Sequence, residues 1–323
     1  MRSLIIGLGR SGAGLHLPAL LRLRCGGSPV VGVDPAGVPD VPGLVAARSV
    51  AHAARLLDTG DTVVHVCTPP TTRVPVLAEL AAHGFRDVLV EKPLAAGDEE
   101  LPELLRHRSR MLVVAPWLAS ELTRALVRLT RAGTLGELRT ISVAQHKPRF
   151  HRSTNTRGHP TAFDVELPHA IGVALRLAGP AEVTAASCTD LRLGDLRVPW
   201  LGRASLRLAH ASGVHSRFTS DLTAPVRARR ITMRFTHGTV TGHYPVSAED
   251  DMAQLVVRTG NERRHTAFRD DALGAFLLDA YRRFERPGDP GADDLDVAVH
   301  VVRLLTTAKE LCGATEGRQR DAG

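Results

Sequence analysis

Lysine is scarce in this chain. Of its 41 basic residues only Lys92, Lys147 and Lys309 are lysine, and all the others are arginine. Arginine keeps its proton at every physiological pH, whereas a desolvated lysine can release one. A lysine retained against this background is therefore a candidate for proton chemistry, or for a geometry that arginine does not fit.

Aromatic residues are also few, at 4% of the chain, and the basic residues form no long blocks. The net charge of +7 by itself would permit a nucleic-acid partner. Single-stranded nucleic acid is bound by stacking its bases on aromatic side chains, which this chain hardly has. We therefore expect no nucleic-acid partner.

Three further absences narrow the class of protein. The four cysteines, Cys25, Cys67, Cys188 and Cys312, are too far apart for a CxxC pair, so we expect neither a disulfide framework nor a metal site. No apolar run reaches the ~18 residues of a membrane span. The chain also enters a strand-like segment directly after Met1, without a signal-like leader. A cytoplasmic protein without a membrane partner is expected.

Strand-like and helix-like segments alternate over the first part of the chain. This alternation predicts a doubly wound parallel sheet, and hence an N-terminal Rossmann domain over 1–116. Strand-like segments then dominate from about 183 to 259 and predict a large, mostly antiparallel open sheet. The expected fold is therefore α/β, with an α+β domain for substrate binding and oligomerisation over 117–312 and a disordered tail over 313–323.

A glycine-rich turn joins the first strand to the first helix, with the sequence Gly7-Leu8-Gly9-Arg10-Ser11-Gly12. Gly7 allows the tight turn, Gly9 lets the backbone approach a pyrophosphate, and Gly12 lets helix and strand pack closely. The free N–H groups of the helix start also attract phosphate. We expect Gly7, Gly9, Arg10, Ser11 and Gly12 to contact a dinucleotide.

Asp34 ends the second strand, where a carboxylate accepts hydrogen bonds from the adenosine ribose. It would repel a 2′-phosphate, which favours NAD(H). Arg10 can reach an adenine face or a 2′-phosphate, so NADP(H) stays open, and plain solvent exposure of Arg10 is an equally good interpretation.

A second turn, Glu91-Lys92-Pro93, follows a strand of the same predicted sheet. Ligands of open α/β sheets bind at the carboxyl ends of the strands. Lys92 in this position could hold a substrate oxygen or exchange a proton with it.

The glycine-rich turn, Asp34, Cys67-Thr68-Pro69-Pro70 and Glu91-Lys92-Pro93 together resemble the Gfo/Idh/MocA oxidoreductases, which include glucose-fructose oxidoreductases and inositol dehydrogenases. The resemblance implies NAD(P)-linked chemistry on sugars, cyclitols or related carbonyl and imine compounds. It implies that Lys92 is catalytic and that Thr68, Pro69 and Glu91 lie at the cofactor. It also implies a homodimer or homotetramer.

The family carries an acid and a histidine one turn apart on a helix, and His169 matches the histidine. Val165 stands where the acid is expected, which departs from the pattern. Asp164 and Glu166 flank it, so either could orient His169 as the acid/base, although a helix cap is an equally good role for each. A satisfied, half-buried histidine is the alternative for His169.

A basic segment precedes this helix and includes Lys147 and Arg149. Several cations beside a cleft would suit a carboxylate or phosphate on a small-molecule substrate, so we expect Lys147 and Arg149 to bind substrate. A solvated loop or a subunit contact explains the segment equally well.

Three functions remain open on the sequence alone. The first is a dehydrogenase or reductase of a sugar-like alcohol or ketone, with Lys92 or His169 handling the proton. The second is a C=N reductase on the same scaffold, which tolerates Val165. The third is a non-catalytic dinucleotide-binding sensor.

Overall fold

The computed structural model describes residues 1–25, 27–155, 159–247, 249–286, 288 and 292–314, apart from the side chains of residues 108, 109, 166 and 292. The chain forms two compact units. The first comprises Met1–Pro116 and Leu273–Val302, and the second comprises Trp117–Ala272 and the chain from Arg303 onward. Within the described residues, no helix is both long and apolar enough to cross a membrane.

The strands and helices of both units follow one another in chain order. The strands are β1 (Arg2–Ile6), β2 (Val30–Val33), β3 (Leu44–Ala46), β4 (Thr62–Val66), β5 (Asp87–Val90), β6 (Met111–Val113), β7 (Leu138–His146), β8 (Ala181–Cys188), β9 (Leu191–Leu193), β10 (Leu196–Val198), β11 (Arg203–His210), β12 (His215–Asp221), β13 (Ala228–Phe235), β14 (Gly238–His243), β15 (Met252–Thr259) and β16 (Glu262–Arg269). The helices are α1 (Leu17–Leu23), α2 (Val50–Leu56), α3 (Arg73–Ala82), α4 (Leu101–Leu104), α5 (Pro116–Ala119), α6 (Glu121–Ala132), α7 (Phe150–Asn155), α8 (Ala162–Ala178), α9 (Ala272–Phe284) and α10 (Ala292–Leu311).

The first unit is built on a six-stranded parallel sheet with the order β3-β2-β1-β4-β5-β6. Its central strands are buried along their whole length, as expected for a parallel sheet covered on both faces. One face is apolar and packs into the main core of the unit, whereas the other face carries Ser3 and His65 among apolar residues. The carboxyl ends of all six strands meet at one edge, which is the edge that matters for the site.

The second unit is built on an eight-stranded sheet with the order β16-β15-β14-β13-β7-β12-β11-β8. Only β7 and β12 pair in parallel, and all other neighbours are antiparallel. Burial alternates along strands such as β11, as expected when one face is covered and the other open. Helix α8 lies on the covered face. The expected α/β fold, with a parallel sheet and a large, mostly antiparallel one, is therefore confirmed.

The division of the chain differs from the sequence-based one in one respect. Residues 273–302 belong to the first unit rather than to a single domain over 117–312. The reason is packing: Leu295, Val299 and Val302 of α10 enter the core of the parallel sheet, and Tyr281 of α9 contacts its other face. Most of the expected tail, from residue 315 onward, lies outside the described residues.

Candidate functional site

The glycine-rich turn follows β1 and bends sharply. Gly7 has φ +90°, and a Cβ there would lie 3.1 Å from the backbone of Cys67, where β4 ends. A Cβ at Gly12 would lie only 2.0 Å from the Gly7 carbonyl oxygen, so no larger residue fits without moving the turn. Residues Gly12–His16 then form a π-helical turn that leads into α1. Both glycines are thus required by the close approach of other backbone.

Gly9 and Arg10 are different, because both are exposed. A Cβ at Gly9 would meet no atom within 4 Å. The open space beside Gly9 is therefore available to a ligand rather than filled by the protein. Ser11 lies half-buried next to it and begins the π-helical turn.

Asp34 extends from the end of β2 toward the same turn. Its Oδ2 accepts a hydrogen bond of 2.5 Å from the Leu8 N–H, and its Oδ1 accepts one of 2.8 Å from the Ala36 N–H. The carboxylate is half-buried. It is therefore held beside the glycine-rich turn, where the sequence places it for a ribose.

Thr68 and Pro69 follow β4 at the same edge; Thr68 is half-buried and Pro69 is exposed. The hydroxyl of Thr68 is buried and has no hydrogen-bond partner within the described part of the chain. A buried hydroxyl without a partner is uncommon in native proteins and points to a missing group or water. Together with the open space beside Gly9, it fits a dinucleotide lying along this edge.

The Glu91-Lys92-Pro93 turn, which follows β5, is held from one side by Arg73 of α3. The Arg73 guanidinium is 1% exposed and donates hydrogen bonds to the carbonyl oxygens of Pro93, Leu94 and Thr68. Burial lowers the pKa of Arg73 to about 10, against the opposing effect of the Glu91 charge. Arg73 still carries its charge at neutral pH, and so acts as a fixed clamp on the turn. Nothing in the sequence singled it out.

Glu91 holds the turn from the other side. Its Oε1 lies 2.9 Å from Nε2 of His16, and its Oε2 accepts a 3.0 Å hydrogen bond from the Lys92 N–H. Burial alone would raise the pKa of Glu91, but the hydrogen bond with His16 and the charges of Lys92 and Arg73 outweigh it and hold that pKa below its ordinary value. Glu91 is therefore a buried carboxylate, and the half-buried Lys92 is the next residue along the turn.

Behind Glu91 the hydrogen bonds continue into the unit. His16 Nδ1 lies 2.7 Å from His65 Nδ1, His65 Nε2 lies 2.9 Å from the Tyr281 hydroxyl, and that hydroxyl lies 2.5 Å from the Ser3 hydroxyl. Burial above all, and the neighbouring His16, hold the pKa of His65 well below its ordinary value. Neither histidine was singled out by the sequence, although His65 is a polar residue inside the mostly apolar strand β4.

In the second unit, His169 lies half-buried on α8. Its ring stacks on Trp117 at 5.8 Å, and Trp117 stacks on Tyr244 at 4.0 Å. The Tyr244 hydroxyl is 2.8 Å from Thr123 Oγ1. Stacking against a buried aromatic pair fixes the plane of the His169 ring.

Asp164 is buried at the start of α8. One of its oxygens closes a capping box with Thr161, and the other lies 3.0 Å from the Lys309 ammonium. Its carboxylate is thus engaged by a cap and a buried ion pair. Val165 is buried on the same turn, and the side chain of Glu166 lies outside the described residues.

Lys147 and Arg149 follow β7 and run beside the end of β12. Their backbone N–H groups donate to the carbonyl oxygens of Asp221 and Leu222 at 2.9 Å each. Lys147 is half-buried, while Arg149 is 4% exposed and donates to the Ser153 hydroxyl. The segment is therefore tied to the sheet rather than being a free surface loop.

The site residues expected from the sequence thus fall into two groups. The carboxyl edge of the parallel sheet brings together the residues expected at a cofactor, which are Gly7, Gly9, Arg10, Ser11, Gly12, Asp34, Thr68, Pro69, Glu91 and Lys92. His169, Asp164, Lys147 and Arg149 belong to the second unit. Among the described residues there is no group of His, Cys, Asp and Glu suited to hold a metal ion.

No family model matches this sequence, and neither does any curated protein. Solved structures do resemble it. The 3-ketoreductase KijD10 from Actinomadura kijaniata, in complex with NADP and TDP-benzene, matches with a TM-score of 0.76 at 15% identity over 97% of this chain and 98% of that one. The UDP-N-acetylglucosamine 3-dehydrogenase GnnA from Acidithiobacillus ferrooxidans matches with a TM-score of 0.71 at 18% identity over 97% and 98%.

A third similar structure is the aldose-aldose oxidoreductase from Caulobacter crescentus, with a TM-score of 0.74 at 17% identity over 98% of both chains. At such low identities the similarity establishes the fold alone. That fold, a parallel six-stranded sheet followed by a large, mostly antiparallel one, extends over nearly the whole of this chain and of each similar structure.

Proposed function

We propose that this protein is an NAD(P)-dependent oxidoreductase that moves a hydride between the nicotinamide and an alcohol or carbonyl carbon of a sugar derivative. One observation carries the proposal: the glycine-rich turn, Asp34 and the clamped Lys92 turn all lie at the carboxyl edge of one parallel sheet. Open α/β sheets bind their ligands at this edge. The names of the similar structures, a ketoreductase, a dehydrogenase and an oxidoreductase, are consistent with it.

The dinucleotide would be held by the backbone of the glycine-rich turn and by Asp34. The N–H groups at the start of the π-helical turn attract the pyrophosphate, and Gly9 leaves the space for it. The Asp34 carboxylate would accept hydrogen bonds from the ribose and repel a 2′-phosphate. We therefore propose NAD(H) as the preferred cofactor, with NADP(H) as the outcome if Arg10 takes up the phosphate.

Lys92 is the residue we assign to the substrate oxygen. A bound nicotinamide supplies the acceptor or donor of the hydride. During oxidation the hydroxyl proton of the substrate passes to the Lys92 amine as its carbon loses the hydride, and in the reverse direction the ammonium returns the proton. Because Glu91 and Arg73 fix the turn from both sides, Lys92 is presented from a rigid backbone.

His169, Lys147 and Arg149 are proposed as the substrate residues of the second unit. The Trp117 stack fixes the plane of the His169 ring for proton exchange or for orienting a hydroxyl. The two cations suit a carboxylate or phosphate on the substrate. A sugar acid, sugar phosphate or nucleotide-linked sugar would meet these requirements.

The test begins with calorimetric titration of the pure protein with NAD⁺, NADH, NADP⁺ and NADPH, followed by a turnover screen over free sugars, cyclitols and nucleotide-linked sugars. Lys92→Arg should keep cofactor binding and lose turnover, because arginine keeps the charge but does not exchange a proton. If none of the four dinucleotides binds, the proposal is wrong.

A further inference from the structure

A row of five buried side chains begins at the Glu91 carboxylate and leads away from the edge of the sheet. Its members are Glu91, His16, His65, Tyr281 and Ser3, and we call them the Glu91 chain. None of the five is more than 8% exposed. They are joined by four contacts of 2.5 to 2.9 Å. Such a continuous polar network is costly to bury unless every member is satisfied.

The hydrogens in the Glu91 chain can be counted. Glu91 is a carboxylate and can only accept, so His16 must carry a hydrogen on Nε2. A neutral His16 then offers a bare Nδ1, which His65 satisfies with a hydrogen on its own Nδ1. The bare Nε2 of His65 accepts from the Tyr281 hydroxyl, whose oxygen accepts from Ser3. Four hydrogens thus satisfy four contacts, and all of them point toward Glu91.

The opposite direction needs one more proton. If His65 carried its hydrogen on Nε2, its bare Nδ1 would require a hydrogen on Nδ1 of His16. A neutral His16 would then turn a bare Nε2 toward the Glu91 carboxylate, and that contact forms only if Glu91 or His16 takes up a further proton. Only the first arrangement therefore closes without an added proton, and in it the Tyr281 hydroxyl donates to Nε2 of His65.

The protonation of the His16 ring affects Lys92 through the two oxygens of Glu91. One oxygen is held by His16 and the other accepts from the Lys92 N–H. The ionisable groups that act on Glu91 are His16 from the π-helical turn, Arg73 from α3, Lys92 beside it and the Cys67 thiol at the end of β4. Of these, only His16 links Glu91 to the buried chain.

We propose that His16, His65 and Tyr281 are positioning residues for Lys92: they fix the tautomer that keeps Glu91 ionised and bonded to the Lys92 backbone. The geometry of the chain stands by itself, whereas its catalytic meaning rests on the function proposed above. Tyr281 acts here from a sequence distance of 189 residues, through hydrogen bonds alone.

The first experiment observes the histidine rings directly. In protein labelled with ¹⁵N-histidine, the shifts of Nδ1 and Nε2 distinguish the protonated from the bare nitrogen, and the His16→Gln and His65→Gln variants assign the two rings. The wild type should show His16 protonated on Nε2 and His65 on Nδ1. Tyr281→Phe should shift His65 toward the Nε2 tautomer. A wild-type spectrum with the opposite tautomers would overturn the proposal.

Tyr244, the only other tyrosine of the protein, provides a matched control. Tyr244 is also buried, and its hydroxyl is hydrogen-bonded to Thr123, but it belongs to the second unit. Tyr244→Phe removes the same atom and the same kind of contact. It should leave the resonances of His16 and His65 unchanged, and a shift equal to that of Tyr281→Phe would mean that the effect is not specific.

The second experiment follows Lys92, and the scarcity of lysine makes it simple. An amine-reactive reagent can modify only Lys92, Lys147, Lys309 and the N-terminus, so mass spectrometry gives the rate at Lys92 relative to Lys147. His16→Leu removes the donor that holds one Glu91 oxygen, which loosens the turn that carries Lys92, and it should raise this ratio about fivefold, the equivalent of a hydrogen bond worth about 1 kcal/mol. His16→Gln keeps an N–H donor and should restore a ratio near that of the wild type.

His210→Leu is the control for loss of a buried histidine. His210 is 5% exposed and hydrogen-bonded at both ring nitrogens in the second unit, and its loss should not alter the Lys92 ratio. Should His16→Leu fail to fold, Tyr281→Phe replaces it, with a smaller rise of about threefold expected because its effect passes through two rings. An unchanged ratio in a folded variant would refute the proposal.

The outcomes separate the two proposals. If no dinucleotide binds, yet the tautomers and the Lys92 ratio behave as stated, the function proposed above fails and the Glu91 chain stands. A different result applies if dinucleotides bind and turnover is found, but His16→Leu, His16→Gln and Tyr281→Phe all keep the wild-type pH profile of kcat. In that case the Glu91 chain has no part in positioning Lys92.

Discussion

The buried neutral state of His65 predicts how the stability of this protein depends on pH. Burial and the neighbouring His16 hold the pKa of His65 well below 6.5, its value in an open chain. The unfolded chain therefore takes up a proton below pH 6.5 that the folded chain does not. By linkage, the free energy of unfolding must fall as the pH falls from neutral toward the depressed pKa of the folded state.

The size of the effect follows from one proton. A group that is neutral in the folded state and titrates near 6.5 in the unfolded state lowers the free energy of unfolding by about 1.4 kcal/mol for each pH unit below 6.5. Acidification from about pH 7.5 to 5.0 should therefore lower the free energy of unfolding by roughly 2 kcal/mol. Glu91 has the same sign, because its pKa is lowered when folded, but its contribution is lost only below about 4.5. Above pH 5 the histidine is therefore separable from the carboxylate.

The assay is urea unfolding at a series of pH values, followed by circular dichroism, for the wild type and for His65→Gln. Glutamine retains a donor and an acceptor but does not titrate, so this variant should lose roughly 2 kcal/mol of the pH dependence over that range. His243 also has a lowered pKa, from burial and from Arg230 and His265, and should contribute its own slope in both proteins. If His65→Gln keeps the full wild-type slope, His65 is not the buried neutral group described here.

Three shorter predictions follow from other contacts. Gly12→Ala places a Cβ 2.0 Å from the Gly7 carbonyl oxygen, so calorimetry should detect no dinucleotide binding while circular dichroism shows a folded protein. Asp34→Ser removes the charge that repels a 2′-phosphate and should shift the ratio of Kd values toward NADP(H). Lys309→Met leaves the Asp164 carboxylate buried without its ammonium and should cost about 3–5 kcal/mol in chemical unfolding, and adding Asp164→Asn should restore part of that loss.

The parts of the fold that the sequence predicted correctly, and the positions of the residues expected at the cofactor, are governed by local rules. The turn at Gly7 and Gly12 and the acid at Asp34 depend on backbone geometry and strand ends within one βαβ unit, where spacing along the chain is spacing in space. The alternation of strands and helices fixed the parallel sheet in the same way. These features depend on residues that are close in sequence, so they could be predicted without knowledge of the tertiary structure.

The parts that were missed depend on contacts between distant residues. His16 and His65 are 49 residues apart, and His65 and Tyr281 are 216 apart. Their pairing follows from the π-helical turn and α9 both packing against the face of the sheet that carries His65, which no local pattern predicts. Asp164 shows both cases, since its capping of α8 is readable from Thr161, but its ion pair with Lys309 is not.

The three lysines show what the amino-acid composition predicts about the structure. Lys309 is buried in an ion pair, and Lys92 and Lys147 are half-buried, so none of the three lies on the open surface where most arginines of this chain are found. Both lysine and arginine are mostly exposed in proteins, and at a solvated position that makes no specific contact either one supplies the charge, so a bias toward arginine meets little constraint there. In a buried contact such as that of Lys309 with one oxygen of Asp164, a compact ammonium fits where a planar guanidinium would need more space and further acceptors. The few lysines that remain despite the bias toward arginine therefore mark positions where the shape of the charged group is constrained, and not only the sign of its charge.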